Sequence, residues 1–125
     1  MDKIEFRENL KLRLRKFVLD LIKLCQEIPY SQESKIIINQ LLRSGSSVYA
    51  NYRASNRARS KAEFFSKMSI VVEESDETEM WLELLISSEI CNNSESNRLH
   101  KESIEILKIM ATARKNLKED YQISK

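Results

Sequence analysis

The sequence is poor in residues that break regular secondary structure. Its 125 residues include one glycine, Gly45, and one proline, Pro29. A fold of many short strands needs frequent turns, and turns draw heavily on glycine and proline. A single glycine also excludes a glycine-rich phosphate-binding loop. This scarcity therefore favours one domain built from a few long helices.

Histidine and cysteine are also scarce, which limits metal and acid–base chemistry. A di-iron bundle needs Glu-x-x-His motifs from two helices, and the one histidine, His100, has no glutamate three residues before it. Cys25 and Cys91 lack the spacing of zinc ligands. We therefore expect no metal, no cofactor, a solvent-exposed histidine and two buried, reduced thiols. A Ser-His-Asp arrangement stays open, but no motif indicates one, so the sequence predicts a non-enzymatic protein.

No apolar run approaches the roughly 20 residues that a membrane-spanning helix requires. The segment MDKIEFRENLKLRLRK at residues 1–16 carries too many charges for a secretory signal. Hydrophobic residues make up 42% of the chain and charged residues 32%, as in globular proteins. We therefore expect a single cytoplasmic domain over residues 1–125.

Apolar residues recur at helical spacing in four segments, which predicts helices at about 3–27, 32–52, 61–91 and 95–120. A candidate N-terminal cap precedes each helix: Asp2, Ser31, Ser60 and Asn92. The apolar spacing of the fourth helix continues to Leu117, and the last few residues are expected to fray. Because short connections place consecutive helices antiparallel, we predict an all-α, up-down-up-down four-helix bundle. The three interruptions argue against one long coiled coil.

Charge is distributed in blocks along the chain. Residues 34–62 contain six bases and no acid, whereas residues 68–97 contain eight acids and no base. Arginine pairs with two phosphate oxygens through its planar guanidinium, and Tyr49 and Tyr52 could stack on unpaired bases. We therefore predict a nucleic-acid-binding surface from the end of helix 2, the following loop and a basic cluster on helix 1. Its candidate residues are Arg43, Arg53, Arg57, Arg59, Lys61, Arg13, Arg15 and Lys16. The alternative, that these bases are only solvated, stays open.

The acidic block places like charges one helical turn apart. Glu73 with Glu77, and Glu79 with Glu83, repel each other at this spacing. The repulsion is tolerable where bases from another helix, or from another copy of the chain, lie opposite. The alternative is a solvated acidic face.

The third predicted helix is apolar on a second side. Ile70, Met80, Trp81 and Leu84 lie away from its main apolar stripe. An apolar surface of this kind predicts contact with another copy of the chain. The alternative is that Trp81 covers the end of its own bundle.

Helix 2 also carries a narrow stripe of polar side chains. Gln40, Ser44, Ser47 and Asn51 follow one another at steps of four, three and four. We favour close helix packing, with hydroxyls bonded to backbone carbonyls. A stripe that faces a ligand or nucleic acid is the alternative.

Several short motifs stand in the central third of the chain. They are Arg43-Ser44-Gly45, Ala50-Asn51-Tyr52-Arg53, Ser60-Lys61 followed by Phe64, and Trp81-Leu82. With these motifs, residues 41–85 closely resemble a bacterial four-helix bundle protein family. Its members are encoded within intervening sequences of 23S ribosomal RNA genes, and the family is often labelled a ribosomal protein family on that account. After Arg53 the sequence departs from the family pattern, because Ala54-Ser55 replaces a common Glu-Ala and makes the segment more basic.

The resemblance implies a bundle that assembles as a homopentamer. It also implies kinship with the accessory protein of diversity-generating retroelements, which binds nucleic acid and a reverse transcriptase through its basic surface. We therefore expect an oligomeric, non-enzymatic protein that binds RNA or other nucleic acid. The alternative is a ring-shaped protein-binding adaptor or scaffold that makes no contact with nucleic acid.

Overall fold

Four helices make up most of the chain: α1 (Lys3–Gln26), α2 (Gln32–Ser55), α3 (Lys61–Ser87) and α4 (Ser94–Ile123). The computed structural model describes the backbone of residues 1–123 and the side chains of residues 1–116. Each helix packs against the next one in the chain, and α4 returns to pack against α1. The all-α, up-down four-helix bundle predicted from the sequence is confirmed.

Three of the helices begin at the predicted caps. The side chain of Asp2 accepts a hydrogen bond from the Glu5 backbone N–H at 2.8 Å. Ser60 accepts one from the Glu63 N–H at 3.1 Å. Ser31 caps α2 in a reciprocal arrangement with the residue three positions later. Each cap satisfies an N–H group that the first turn of a helix would leave without a partner.

The cap of α4 lies one residue later than predicted. Asn93, and not Asn92, accepts a hydrogen bond from the Ser96 N–H at 2.8 Å. The Ser96 hydroxyl in turn accepts from the Asn93 N–H at 2.9 Å, which completes a capping box. Asn92 instead donates from its side-chain amide to Glu89 at 3.0 Å.

Helix α3 ends at Ser87, four residues before the end that its apolar spacing indicates. Glu89 adopts a left-handed backbone conformation with φ of 64°. The Cys91 N–H then bonds to the Leu85 carbonyl at 3.0 Å and closes the turn. Apolar spacing did not reveal this stop, because the turn keeps Cys91 in the core although the helix has ended.

All four helices contribute side chains to a single core. Its largest fully buried members are Leu14, Leu21, Leu41, Val48, Met68, Val71, Leu82, Leu85, Leu99, Ile106 and Met110. Cys25 and Cys91 lie in this core as free thiols, and burial raises the pKa of the Cys25 thiol to about 11. The prediction that both cysteines are buried is confirmed. Leu117, the last predicted core position of α4, lies outside the described side chains, and the expected fraying concerns residues that also lie mostly outside them.

The polar stripe on α2 takes part in helix packing. Ser44 is fully buried, donates to the Leu41 carbonyl at 3.2 Å and accepts from the Thr78 hydroxyl at 2.9 Å. The side-chain amide of Asn51 donates to the Ser47 carbonyl at 3.0 Å. These bonds confirm the preferred interpretation, in which the stripe lets α2 and α3 approach closely.

Candidate nucleic-acid interface

Four of the predicted phosphate-binding bases lie together between α2 and α3. Arg53 is in the last turn of α2, Arg57 and Arg59 are in the connection, and Lys61 is the first residue of α3. All four are exposed, and none forms an ion pair with another side chain of residues 1–116. Their charges are therefore available to an anionic partner.

The connection that carries these bases is closed by its own backbone hydrogen bonds. The Arg57 N–H bonds to the Ala54 carbonyl at 3.0 Å, and the Ala58 N–H bonds to the Ser55 carbonyl at 3.1 Å. On the other side, the Arg59 N–H donates to the Glu63 carboxylate at 3.3 Å. The basic segment is thus a defined turn held at both ends.

Neither of the two tyrosines that were predicted to stack on bases has a fully exposed ring. Tyr52 is buried in the core, and this burial raises the pKa of its phenol. Tyr49 is half-buried, with the Arg53 guanidinium 5.6 Å from its ring centroid, a cation–π distance. Tyr52 therefore supports the fold, and Tyr49 positions Arg53.

Sequence reasoning missed one base of this region, Arg7. Because the helices alternate in direction, the start of α1 lies at the same end of the bundle as the start of α3. Arg7 lines a surface hollow of about 340 Å³ together with Asn56, Arg59 and Lys61. The up-down topology was the available signal, since it places both helix starts at the same end of the bundle. We call the side chains of Arg7, Arg53, Arg57, Arg59 and Lys61 the basic end.

Arg43, in contrast, is already paired within the bundle. Its guanidinium lies 3.2 Å from Glu74, forms a second ion pair with Glu77 and donates to Gln40 at 2.9 Å. The pKa of Glu77 is lowered, first by its hydrogen bond from Arg43 and then by that from Trp81. Arg43 therefore links α2 to α3, and it lies opposite Glu77, one of the acids that were predicted to repel.

The predicted basic cluster on α1 also contains bases that are paired within the bundle. Arg13 forms two hydrogen bonds of 2.7 Å with Glu102 of α4, and Lys16 lies 2.7 Å from Asp20. Arg98 also contacts Asp20, at 2.9 Å. The hydrogen bonds from Lys16 and Arg98 lower the pKa of the Asp20 carboxyl. Arg15 is exposed and has no ion-pair partner among the described side chains. Two of the three α1 bases thus connect helices or turns of the bundle.

The histidine differs from its predicted place on the solvent-exposed surface. His100 is half-buried, and its Nε2 lies 2.7 Å from Glu79 Oε2 across the α3–α4 contact. Glu79 is one of the acids that were expected to repel each other. Its contact with a ring nitrogen from another helix gives this carboxylate a partner.

The second apolar side of α3 is only partly exposed. Met80 and Leu84 keep 38% and 39% of their surface accessible. Ile70 is half-buried, and Trp81 packs against the core while its indole N–H donates to Glu77 at 3.2 Å. Trp81 is therefore anchored in its own bundle, and the exposed apolar surface of α3 consists chiefly of Met80 and Leu84.

The part of the chain that the structure describes has neither a metal-binding cluster nor a membrane-spanning helix. There, no three His, Cys, Asp or Glu side chains come together in a group that could hold a metal ion. Within the same residues, no helix combines the length and the apolar character that crossing a membrane requires.

Comparison with known proteins assigns the family. The family model for the 23S rRNA-intervening sequence protein matches residues 11–112. A crystal structure of a protein of unknown function from the S23 ribosomal protein family of Bacteroides thetaiotaomicron is 33% identical, with a TM-score of 0.76. The match covers 84% of this chain and 97% of that one. No curated protein matches the sequence. The chain thus belongs to the 23S rRNA-intervening sequence protein family.

Proposed function

We propose that the protein binds RNA, or single-stranded nucleic acid generally, through the basic end, and that it does so without catalysis. The observation that carries the proposal is the absence of ion-pair partners for these five bases among the described side chains, at one end of the bundle. Arg13, Lys16 and Arg43, by contrast, form ion pairs within the chain. Two buried, free thiols support a reducing, cytoplasmic location.

Such an interface would contact phosphates and read sequence poorly. Guanidinium groups pair with phosphate oxygens through two hydrogen bonds, which positions a strand but does not identify its bases. For a single strand, each phosphate contact contributes about −0.7 to the slope of log affinity against log salt. Five contacts therefore predict a loss of about a hundredfold in affinity between roughly 50 and 200 mM salt.

The test is a titration of labelled single-stranded RNA, hairpin RNA and duplex DNA over this salt range. Replacing Arg53, Arg57 and Arg59 together by glutamine should weaken binding and reduce the salt slope by about two. A matched variant with glutamine at Arg13, Lys16 and Arg43 removes the same charge from paired bases. We expect that variant to keep the wild-type slope. Equal losses in the two variants would show that binding follows net charge and not the basic end.

We also propose that the protein self-associates, as a homopentamer if the resemblance to the family extends to assembly. Exposed apolar side chains on two helices support this: Met80 and Leu84 on α3, and Leu12, Leu19 and Ile22 on α1. Because α1 and α3 each pack against α2 and α4, they occupy opposite corners of the bundle. Two unlike surfaces on opposite corners suit a head-to-tail contact, which can close into a ring.

Light scattering of a Met80→Ser, Leu84→Ser variant tests self-association. We expect a smaller species than the wild type, with an unchanged helical circular dichroism spectrum. Ile36→Ser is a matched control, because Ile36 is 56% exposed on α2, outside the two surfaces. A wild-type monomer, or dissociation in the control alone, would contradict the proposed interface.

The second candidate is a protein-binding adaptor. It is favoured by the exposed acids Glu73 and Asp76, which lie on the same helix as the exposed Met80 and Leu84. A protein partner that stays bound after nuclease treatment, with no affinity for RNA at low salt, would support the adaptor over the nucleic-acid interface.

A further inference from the structure

We propose that the basic end holds one unpaired nucleotide of a strand in two adjoining hollows. Its phosphate would lie in a cationic hollow and its base in an apolar hollow. This inference rests on the proposed function and gives it a specific ligand, the nucleoside 5′-monophosphate unit.

The cationic hollow has a volume of about 340 Å³ and is lined by Arg7 of α1, by the α2–α3 connection and by the start of α3. Arg7, Arg59 and Lys61 supply three positive charges to its wall. The adjacent acid, Glu63, is engaged by the Arg59 backbone N–H. Asn56 also lines this hollow, and its side-chain oxygen is buried without a hydrogen-bond partner among the described residues.

The apolar hollow has a volume of about 370 Å³ and is walled mainly by hydrophobic side chains. Its apolar wall includes Phe6, Leu10, Tyr52, Phe64, Met68 and Ala113. Phe6 is 52% exposed and contributes an aromatic ring to the wall of this hollow. Asp2 also lines the hollow, but its carboxylate caps α1. The volume lies within the range of small-molecule sites, roughly 300–1,000 Å³.

The two hollows have Arg7 and Phe64 in common, so they adjoin. A ligand that fills both must join a flat apolar group to an anion over a short distance. A nucleotide has this form, because its base stacks on aromatic side chains and its phosphate pairs with arginine. A base within a duplex cannot enter such a hollow without leaving its stack. The geometry therefore favours single strands, loops and strand ends.

The test uses AMP and inorganic phosphate as probes of the wild-type protein. Equilibrium dialysis measures the affinity of each probe, and backbone amide NMR shifts locate where it binds. Arg7→Gln should weaken the binding of both probes about tenfold, since it removes a charge-assisted contact. Phe64→Leu should weaken AMP about tenfold and leave phosphate unchanged, since only the base stacks. Lys23→Gln is the matched control, because it removes one charge from the last turn of α1, at the opposite end of the bundle.

Each outcome separates this site from the wider interface. AMP shifts around Phe6 and Phe64 that disappear in Arg7→Gln, but persist in Lys23→Gln, would support the site. Binding of long single-stranded RNA without any AMP shift at the hollows would overturn the site and leave the proposed function standing. Saturation of the hollows by octyl sulfate but not AMP would overturn it as well, because the ligand would then be an alkyl anion. If neither AMP nor RNA binds, both proposals fail.

Discussion

Gly45 is required by the close approach of α1 to α2, and not by a turn. It is buried within α2 and has no positive φ. A Cβ atom at this position would lie 2.6 Å from Leu21 Cδ1 and 3.9 Å from Thr78 Cγ2. Leu21 is fully buried, so its methyl group has no solvent-filled space to enter. Gly45→Ala is therefore the substitution that tests this contact.

Two opposing effects set the size of the change. Alanine stabilises a helix interior by about 1 kcal/mol relative to glycine. Adding a methyl group to a filled core costs about 1–3 kcal/mol. The contact is about 1 Å shorter than the normal separation of two carbon atoms, and its partner is fully buried, so the packing cost exceeds the helix gain. We expect Gly45→Ala to lower the free energy of unfolding by about 1 kcal/mol.

Urea unfolding, followed by circular dichroism at one protein concentration, measures this effect. Ala50 is exposed on the same helix, so Ala50→Gly gives the helix-propensity contribution alone, a loss of about 1 kcal/mol. Leu21→Ala removes the clashing methyl group and should itself cost about 2–5 kcal/mol. In that background Gly45→Ala should instead stabilise the protein by about 1 kcal/mol.

One result would refute this reasoning. If Gly45→Ala stabilises the otherwise wild-type protein by as much as Ala50→Gly destabilises it, the α1–α2 contact does not exclude a side chain. The double-mutant cycle with Leu21→Ala would then show no coupling energy, whereas residues in contact normally have a coupling energy of roughly 0.5–3 kcal/mol.

Three further predictions concern groups in the core and at its edge. Burial raises the pKa of the Cys25 thiol to about 11, so the native protein should react slowly with a disulfide reagent at pH 8 and rapidly in urea; fast native labelling would contradict this. The Ser75 hydroxyl is buried without a hydrogen-bond partner among the described residues. Ser75→Ala should therefore leave the free energy of unfolding unchanged or raise it by about 1 kcal/mol, as thermal melting would measure. A clear loss of stability would mean that the hydroxyl forms a hydrogen bond. Lys16 and Arg98 lower the pKa of the Asp20 carboxyl from its ordinary value, so its stabilising contribution is present above the ordinary pKa and is lost as the pH falls through the lower folded pKa. The Asp20→Asn variant should therefore have a lower melting temperature than the wild type at pH 7 and should lose less stability on acidification. If the melting temperatures of variant and wild type fall in parallel from about pH 7 to 2, the prediction is contradicted.

The elements of the fold could be predicted because their signals are local. Apolar spacing and caps within a few residues of one another placed α1 and α2 within three residues of their observed ends. The start of α4 was harder, since Asn92 and Asn93 both have a suitable partner three residues later. Asn93 forms the cap with Ser96, which is fully buried and shares the core-facing side of α4 with Leu99. Burial, which decides between the two asparagines, is a tertiary property.

The candidate site was only partly predictable, because contacts between residues far apart in the sequence decide which bases are paired and which belong to the site. The basic block between α2 and α3 was evident as a run of bases without acids. Arg7 joins it from a segment about fifty residues earlier, and Arg43 leaves it for Glu74 and Glu77, more than thirty residues later. Likewise, His100 meets Glu79 across 21 residues of sequence. Which charge faces which depends on how the helices rotate in the bundle, and periodicity within one helix does not determine that.

Arg43 gives the sharpest test of this distinction, because sequence and structure assign it different roles. Its side chain is 47% exposed and its guanidinium pairs with two carboxylates, so a phosphate at this position would face Glu74 and Glu77 as well. A surface ion pair contributes about 0.2–1 kcal/mol to stability. Arg43 pairs with two acids, and one of them also accepts a hydrogen bond from the Trp81 indole, so its contribution belongs at the upper end of this range. Arg43→Gln should therefore lower the free energy of unfolding by about 1 kcal/mol and change RNA affinity less than about twofold. Arg57→Gln, from the same basic block but without an ion-pair partner among the described side chains, should weaken RNA binding and leave stability unchanged. Urea unfolding and RNA titration on the same preparations measure both effects. The reverse pattern would mean that Arg43 leaves its carboxylates to bind phosphate, and the boundary of the basic end would then have to include the middle of α2.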